Sequence, residues 1–68
     1  MLSLEQERLR EKLAEMRLEH RDLDESIDQM LANAKHDMLQ LQRMKKRKLV
    51  LKDMIAKFES MLIDDIIA

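Results

Sequence analysis

The chain has no cysteine, glycine, proline, tryptophan or tyrosine, and its one aromatic residue is Phe58. Each absence removes a class of structure. Without cysteine there is no disulfide and no thiolate metal site. Strand connections lean on glycine and proline, so their absence argues against an all-β fold. One aromatic ring cannot supply the stacking platform of a single-strand nucleic-acid binder. No apolar run exceeds three residues, against the ~20 needed to span a bilayer, and no membrane partner is expected. The opening Met1-Leu2-Ser3-Leu4-Glu5 turns charged at once. No targeting segment is expected there, and a cytoplasmic location is the default.

What is present favours helix: the chain is rich in leucine, methionine, glutamate, lysine, arginine and glutamine, all good helix formers. At 68 residues a single small domain over 1–68 is expected. A chain this short needs unusually good helix packing or a partner chain to complete its core. The net charge of −1 implies no polyanionic partner, but its distribution is uneven. Residues 1–34 hold five Lys and Arg against nine Asp and Glu, for −4, and residues 35–68 hold eight against five, for +3. Such halves attract each other.

Ser3 followed by Gln6 fits a capping box, with Glu5 and Glu7 suiting the positive end of a helix dipole. From Leu9 an apolar stripe steps by four and three through Leu13, Met16, His20, Leu23, Ile27, Met30 and Ala34, the heptad spacing of a coiled-coil helix. The weakest helical stretch is Asn33-Ala34-Lys35-His36-Asp37. Asparagine tolerates the left-handed conformation that ends a helix, and Asp37 with Gln40 is a second capping box. The expected elements are helix 1 over about 4–32, a turn over about 33–37 and helix 2 over about 38–66. The second stripe is Leu41, Met44, Lys48, Leu51, Ile55, Phe58 and Leu62.

Two architectures fit. In an antiparallel hairpin the stripes pair in seven layers whose residue numbers add to 71, from Met30 opposite Leu41 to Leu9 opposite Leu62. Arg10 then falls near Glu59, Asp24 near Lys45, and Arg17 unfavourably near Lys52. Alternatively the heptad runs in phase through 34–41 as one continuous coiled-coil helix, ~100 Å long at 1.5 Å per residue. The weak stretch and the charge split favour the hairpin. Further apolar side chains lie off the stripe: Val50, Met54 and Met61 in a row beside the seam, Leu49 and Ile63 outside it, and Leu2, Leu4 and Leu18 in helix 1. Rows of that size mark an interface, and two hairpins pairing as a homodimeric four-helix bundle are expected.

No catalytic constellation emerges. The carboxylates sit among basic neighbours on solvated faces, the serines lack a histidine partner, and no Gly-rich phosphate loop exists. No enzyme and no cofactor are expected. His20 and His36 lack metal-ligand spacing, so no metal is expected. His20 reads as a seam histidine bonded to a carboxylate such as Asp24, and His36 as a solvated turn residue. The stretch 43–52 holds six of the thirteen basic residues. Arg43, Lys46 and Arg47 face outward and could take an anion or nucleic acid. The favoured reading is a solvated face paired within the chain. Lys48, opposite Leu23, reads as a register device that frees its amine at the seam edge.

The pattern His20-x-x-Leu23-Asp24-x-x-Ile27, a short turn, then Lys45-Lys46-x-Lys48-Leu49-x-Leu51-Lys52-Asp53-x-Ile55 resembles the YdcH-like family of small bacterial proteins of unknown function. The resemblance covers roughly residues 16–58. It implies a helical hairpin in a bacterial cytoplasm, with no known enzymatic activity and no catalytic residues to carry over. The combined expectation is an all-α antiparallel hairpin acting as a self-associating interaction or scaffolding module, open to a further protein partner. A nucleic-acid-associated accessory protein is the alternative.

Overall fold

The structure, a computed structural model, describes residues 3–33 and 35–67, with side chains to residue 63. Leu2, Ala34 and the side chains of residues 64–67 lie outside the described residues. Two helices, α1 (Leu4–Ala32) and α2 (Met38–Ile67), pack antiparallel. The Cα envelope measures 51 × 15 × 13 Å, half the length of a continuous helix, so the chain is a hairpin.

The ends of the helices follow from side-chain chemistry. Ser3 is extended at φ −66°, ψ 160°. Its Oγ accepts from the Gln6 N–H at 3.2 Å, and the Gln6 Oε1 accepts from the Ser3 N–H at 3.1 Å. That reciprocal pair satisfies two donors a helix start leaves open.

Asn33 ends α1 differently from the left-handed conformation expected of it. It is extended, at φ −95°, ψ 120°, and no described residue has a positive φ. Three hydrogen bonds hold it there. Its N–H donates to the Met30 carbonyl at 3.1 Å, its Oδ1 accepts from the Lys35 N–H at 3.1 Å, and its carbonyl accepts from His36 Nδ1 at 2.9 Å. The second is an Asx turn, in which a side-chain amide replaces the backbone turn that glycine would allow. His36, expected to be solvated, is half-buried and must carry a proton on Nδ1, because a carbonyl only accepts. Asp37 then caps α2, accepting on Oδ1 from the N–H groups of Leu39 at 2.9 Å and Gln40 at 3.3 Å. Among the described residues Gln40 returns no bond, so the carboxylate alone caps this end. It also places a negative charge where the first turn of α2 has no acid of its own.

The core is the expected stripe. Leu13, Met16, Ile27, Leu41, Leu51 and Leu62 are buried, and Leu9, Leu23, Met30, Met44, Ile55 and Phe58 are half-buried along the same line. Leu51, at 0% exposure, is its most enclosed member. Replacing Leu51 with alanine is expected to cost ~2–5 kcal/mol. Leu39→Ala, the same change at a position 56% exposed, should stay within about 0.5 kcal/mol. Urea midpoints followed by circular dichroism check both, and equal losses would mean the seam is misplaced.

Candidate functional site

Two polar side chains interrupt the apolar seam, His20 from α1 and Lys48 from α2, both half-buried. The Lys48 amine leaves the seam at its edge and bonds the Asp24 carboxylate. His20 was expected to bond that carboxylate itself. Its Nδ1 instead lies 3.9 Å from Asp24 Oδ2, too long for a hydrogen bond, while Lys48 holds the acid. His20 Nε2 is shielded from solvent and has no partner among the described residues. The hydrogen bond from Lys48 is the main cause holding Asp24 below its ordinary value of 3.8, with partial desolvation opposing it and the charges on Lys48 and His20 adding to it.

The remaining interhelix ion pairs depart from the expected ones. Glu59 takes Arg17, with Arg17 Nη2 donating to its Oε1 at 2.6 Å, rather than Arg10. Asp24 takes Lys48 rather than Lys45. Helical side chains lean toward their own N-terminus, so in antiparallel helices Arg17 and Glu59 lean toward one another, and the guanidinium moves away from Lys52. On the opposite edge Arg47 donates through Nε at 3.0 Å and Nη2 at 3.3 Å to the two oxygens of Glu19. This fork-to-carboxylate geometry is the stronger kind of surface pair.

These pairs show which edges of the helices meet, and so divide the surface into two flanks. One carries the Arg47–Glu19 pair and, on α2, Val50, Met54 and Met61. Val50 and Met61 are 42% and 50% exposed, while Met54 is half-buried against the core. Leu49 and Ile63, 61% and 55% exposed, lie on the other flank, with the Asp24–Lys48 and Arg17–Glu59 pairs. The five apolar candidates therefore do not make one patch. Of the three outward cations, Arg47 is committed to Glu19, whereas Arg43 and Lys46 are exposed and make no ion pair among the described residues.

The Leu49 flank also carries grooves that periodicity alone did not suggest. Near the turn, a groove of about 340 Å³ is lined by Ile27, Lys45, Leu49 and Lys52, with His20 and Lys48 at its base. One of about 370 Å³ continues past Asp24 and Lys52 to Arg17 and Ile55. A third, of about 540 Å³, reaches the open end between Arg10, Leu13, Glu59 and Ile63. Shared residues join each to the next. The hairpin register sets Lys45 near Asp24 and Lys52 near Arg17 without indicating a groove; their spacing of seven is the signal that they face one side. Among the described residues no cluster of acids and histidines could hold a metal ion, and no helix is long and apolar enough to cross a membrane.

Two tests follow from the polar seam. Because the folded pKa of Asp24 is depressed, the stability it contributes is present above 3.8 and lost as pH falls through the lower folded value. Asp24→Asn should lower the urea midpoint at neutral pH and flatten its decline on acidification below 3.8; an unchanged acid limb would mean that the Lys48 bond does not form in solution. His20→Leu removes an unsatisfied buried nitrogen and should raise stability by about 1 kcal/mol, seen as a higher melting temperature.

A family model described as "Protein of unknown function (DUF465)" matches residues 13–59. The match runs from the first buried leucine of α1 to the Glu59 that pairs with Arg17, and so takes in the turn, both polar seam residues and most of the groove. No curated protein and no solved structure matches the chain. With well over half of its residues inside that match, the chain belongs to the DUF465 family of unknown function.

Proposed function

We propose that the protein is a non-enzymatic interaction module whose hairpin self-associates through the flank bearing Val50, Met54 and Met61. The observation that carries this reading is that Val50 and Met61 are left exposed on a two-helix fold whose own core is small. A hairpin of this size gains most from a second copy, because pairing buries apolar surface that one seam cannot cover.

Charge on the same flank supports a second copy as the occupant. Arg43, Val50 and Lys57 are seven apart and form one row on α2; Glu15, Asp22 and Gln29 form the matching row on α1. A two-fold axis sets α1 of one hairpin against α2 of the other. Acidic row then meets basic row twice, with Val50 and Met61 between them. The YdcH-like resemblance fits this reading and carries with it a bacterial cytoplasmic setting.

The chain should sediment at dimer mass at micromolar concentration, and a Val50→Glu, Met61→Glu double variant should sediment as a folded monomer. A wild-type monomer would end the proposal. Nucleic acid is the competing partner, through Arg43 and Lys46. A mobility shift on DNA or RNA that weakens steeply with salt would favour it, whereas apolar self-association should respond little to salt.

A further inference from the structure

We infer that the groove on the Leu49 flank is a docking site for an acidic amphipathic helix of a partner protein, which would lie along the hairpin as a third helix. The inference is independent of self-association, which uses the opposite flank.

The groove's form suits a helix. Its three segments run from Ile27 and Lys45 near the turn to Arg10 and Ile63 at the open end. On α2 Leu49 and Ile63 line it, in one row with Ala56 between them, each two turns from the next and together ~21 Å long. Leu49 and Ile63 are among the most exposed large apolar residues described, and Ile27 supplies a buried apolar surface in the segment nearest the turn. A helix presenting apolar residues at seven-residue intervals would seat them along this row, the helix-in-groove mode of recognition.

Its charge selects an acidic occupant. Both acids lining the groove are already engaged, Asp24 by Lys48 and Glu59 by Arg17. Lys45, Lys52 and Arg10 line the same groove and make no ion pair among the described residues. They are spread along it, Lys45 and Lys52 seven residues apart on α2 and Arg10 on α1 at the open end, as suits a row of carboxylates better than one compact anion. A second copy docked face to face on this flank would set Lys45 and Lys52 of α2 against an α1 edge that carries Arg10 and Arg17 and whose Asp24 is already held by Lys48, an arrangement that costs affinity. Nucleic acid would make no use of the apolar row.

The test is an amide-resolved NMR titration of the full chain with a synthetic helical peptide of about 21 residues carrying leucine at every seventh position and glutamate beside each. The same peptide with lysine for glutamate, and sodium tripolyphosphate, serve as comparison probes. The acidic peptide should shift Lys45, Leu49, Lys52 and Ile63, bind more weakly as salt rises, and lose about tenfold or more in affinity to a Lys45→Glu, Lys52→Glu variant. Circular dichroism checks that the variant, altered only at exposed positions, keeps its helicity. Leu49→Asp provides a second variant, which should weaken the peptide while leaving dimer mass unchanged. The proposal is overturned by no binding of the acidic peptide, by equal binding of the lysine peptide, or by tripolyphosphate giving the same shifts with the same affinity. Shifts centred on Arg43 and Lys46 would also overturn it. If the charge-reversed variant loses dimer mass instead, the groove holds a second copy and the proposal fails in favour of self-association there.

Discussion

The reversal between Ala32 and Met38 rests on side-chain hydrogen bonds, and the rest of the molecule depends on it. The heptad stripe runs in phase from α1 into α2, so seam spacing alone would allow one uninterrupted helix. With no glycine to take a left-handed turn and no proline to stop a helix, Asn33 and Asp37 do the work. Asn33 leaves α1 extended and closes an Asx turn on the Lys35 N–H; Asp37 collects the first open N–H groups of α2. His36 ties the two sides through the Asn33 carbonyl. These bonds bring acidic α1 alongside basic α2 and turn a potential intermolecular seam into an intramolecular one.

Within the seam, two kinds of contact serve different ends. Buried aliphatic layers around Leu13, Met16, Leu51 and Leu62 supply most of the driving force, since apolar burial scales with area. The ion pairs are exposed and individually weak, yet they lie on both edges of the seam. Arg47–Glu19 on one edge and Arg17–Glu59 on the other oppose sliding in either direction. Lys48, bonded to Asp24, and His20, with its unsatisfied Nε2, give up packing energy at the centre. Polar seam residues of this kind specify register in helix pairs, and here they also form the base of the groove.

The two flanks follow from the same pairing. One edge of the hairpin combines acidic α1 and basic α2 rows with apolar residues between them, the composition of a surface that complements itself. The other edge places cations beside Leu49 and Ile63, with both acids that line its groove already paired, the composition of a surface that complements something acidic. On the two proposals made above, a single hairpin would present one face to its own kind and a different face to another partner.

Much of the fold was legible in residue order. The stripe from Leu9 to Leu62 could be read because helical period and apolar spacing are local properties, and the Ser3–Gln6 capping box because it spans one turn. The extended exit at Asn33 was not legible, since it depends on which of several local acceptors the Lys35 N–H and the His36 ring reach. Nor were the salt-bridge partners: a seam register gives the heights of Arg17 and Asp24, while the lean and length of the side chains select Glu59 over Lys52 and Lys48 over Lys45. Residue order by itself determined that this chain is helical, which face of each helix is apolar and that opposite charges lie in opposite halves. The hairpin register already set the edge of Arg10, Arg17 and Asp24 beside that of Lys45, Lys52 and Glu59; only the tertiary structure decided which of them close ion pairs. That choice left Lys45, Lys52 and Arg10 along one groove, because the reach and lean of side chains act only once two helices have been set side by side.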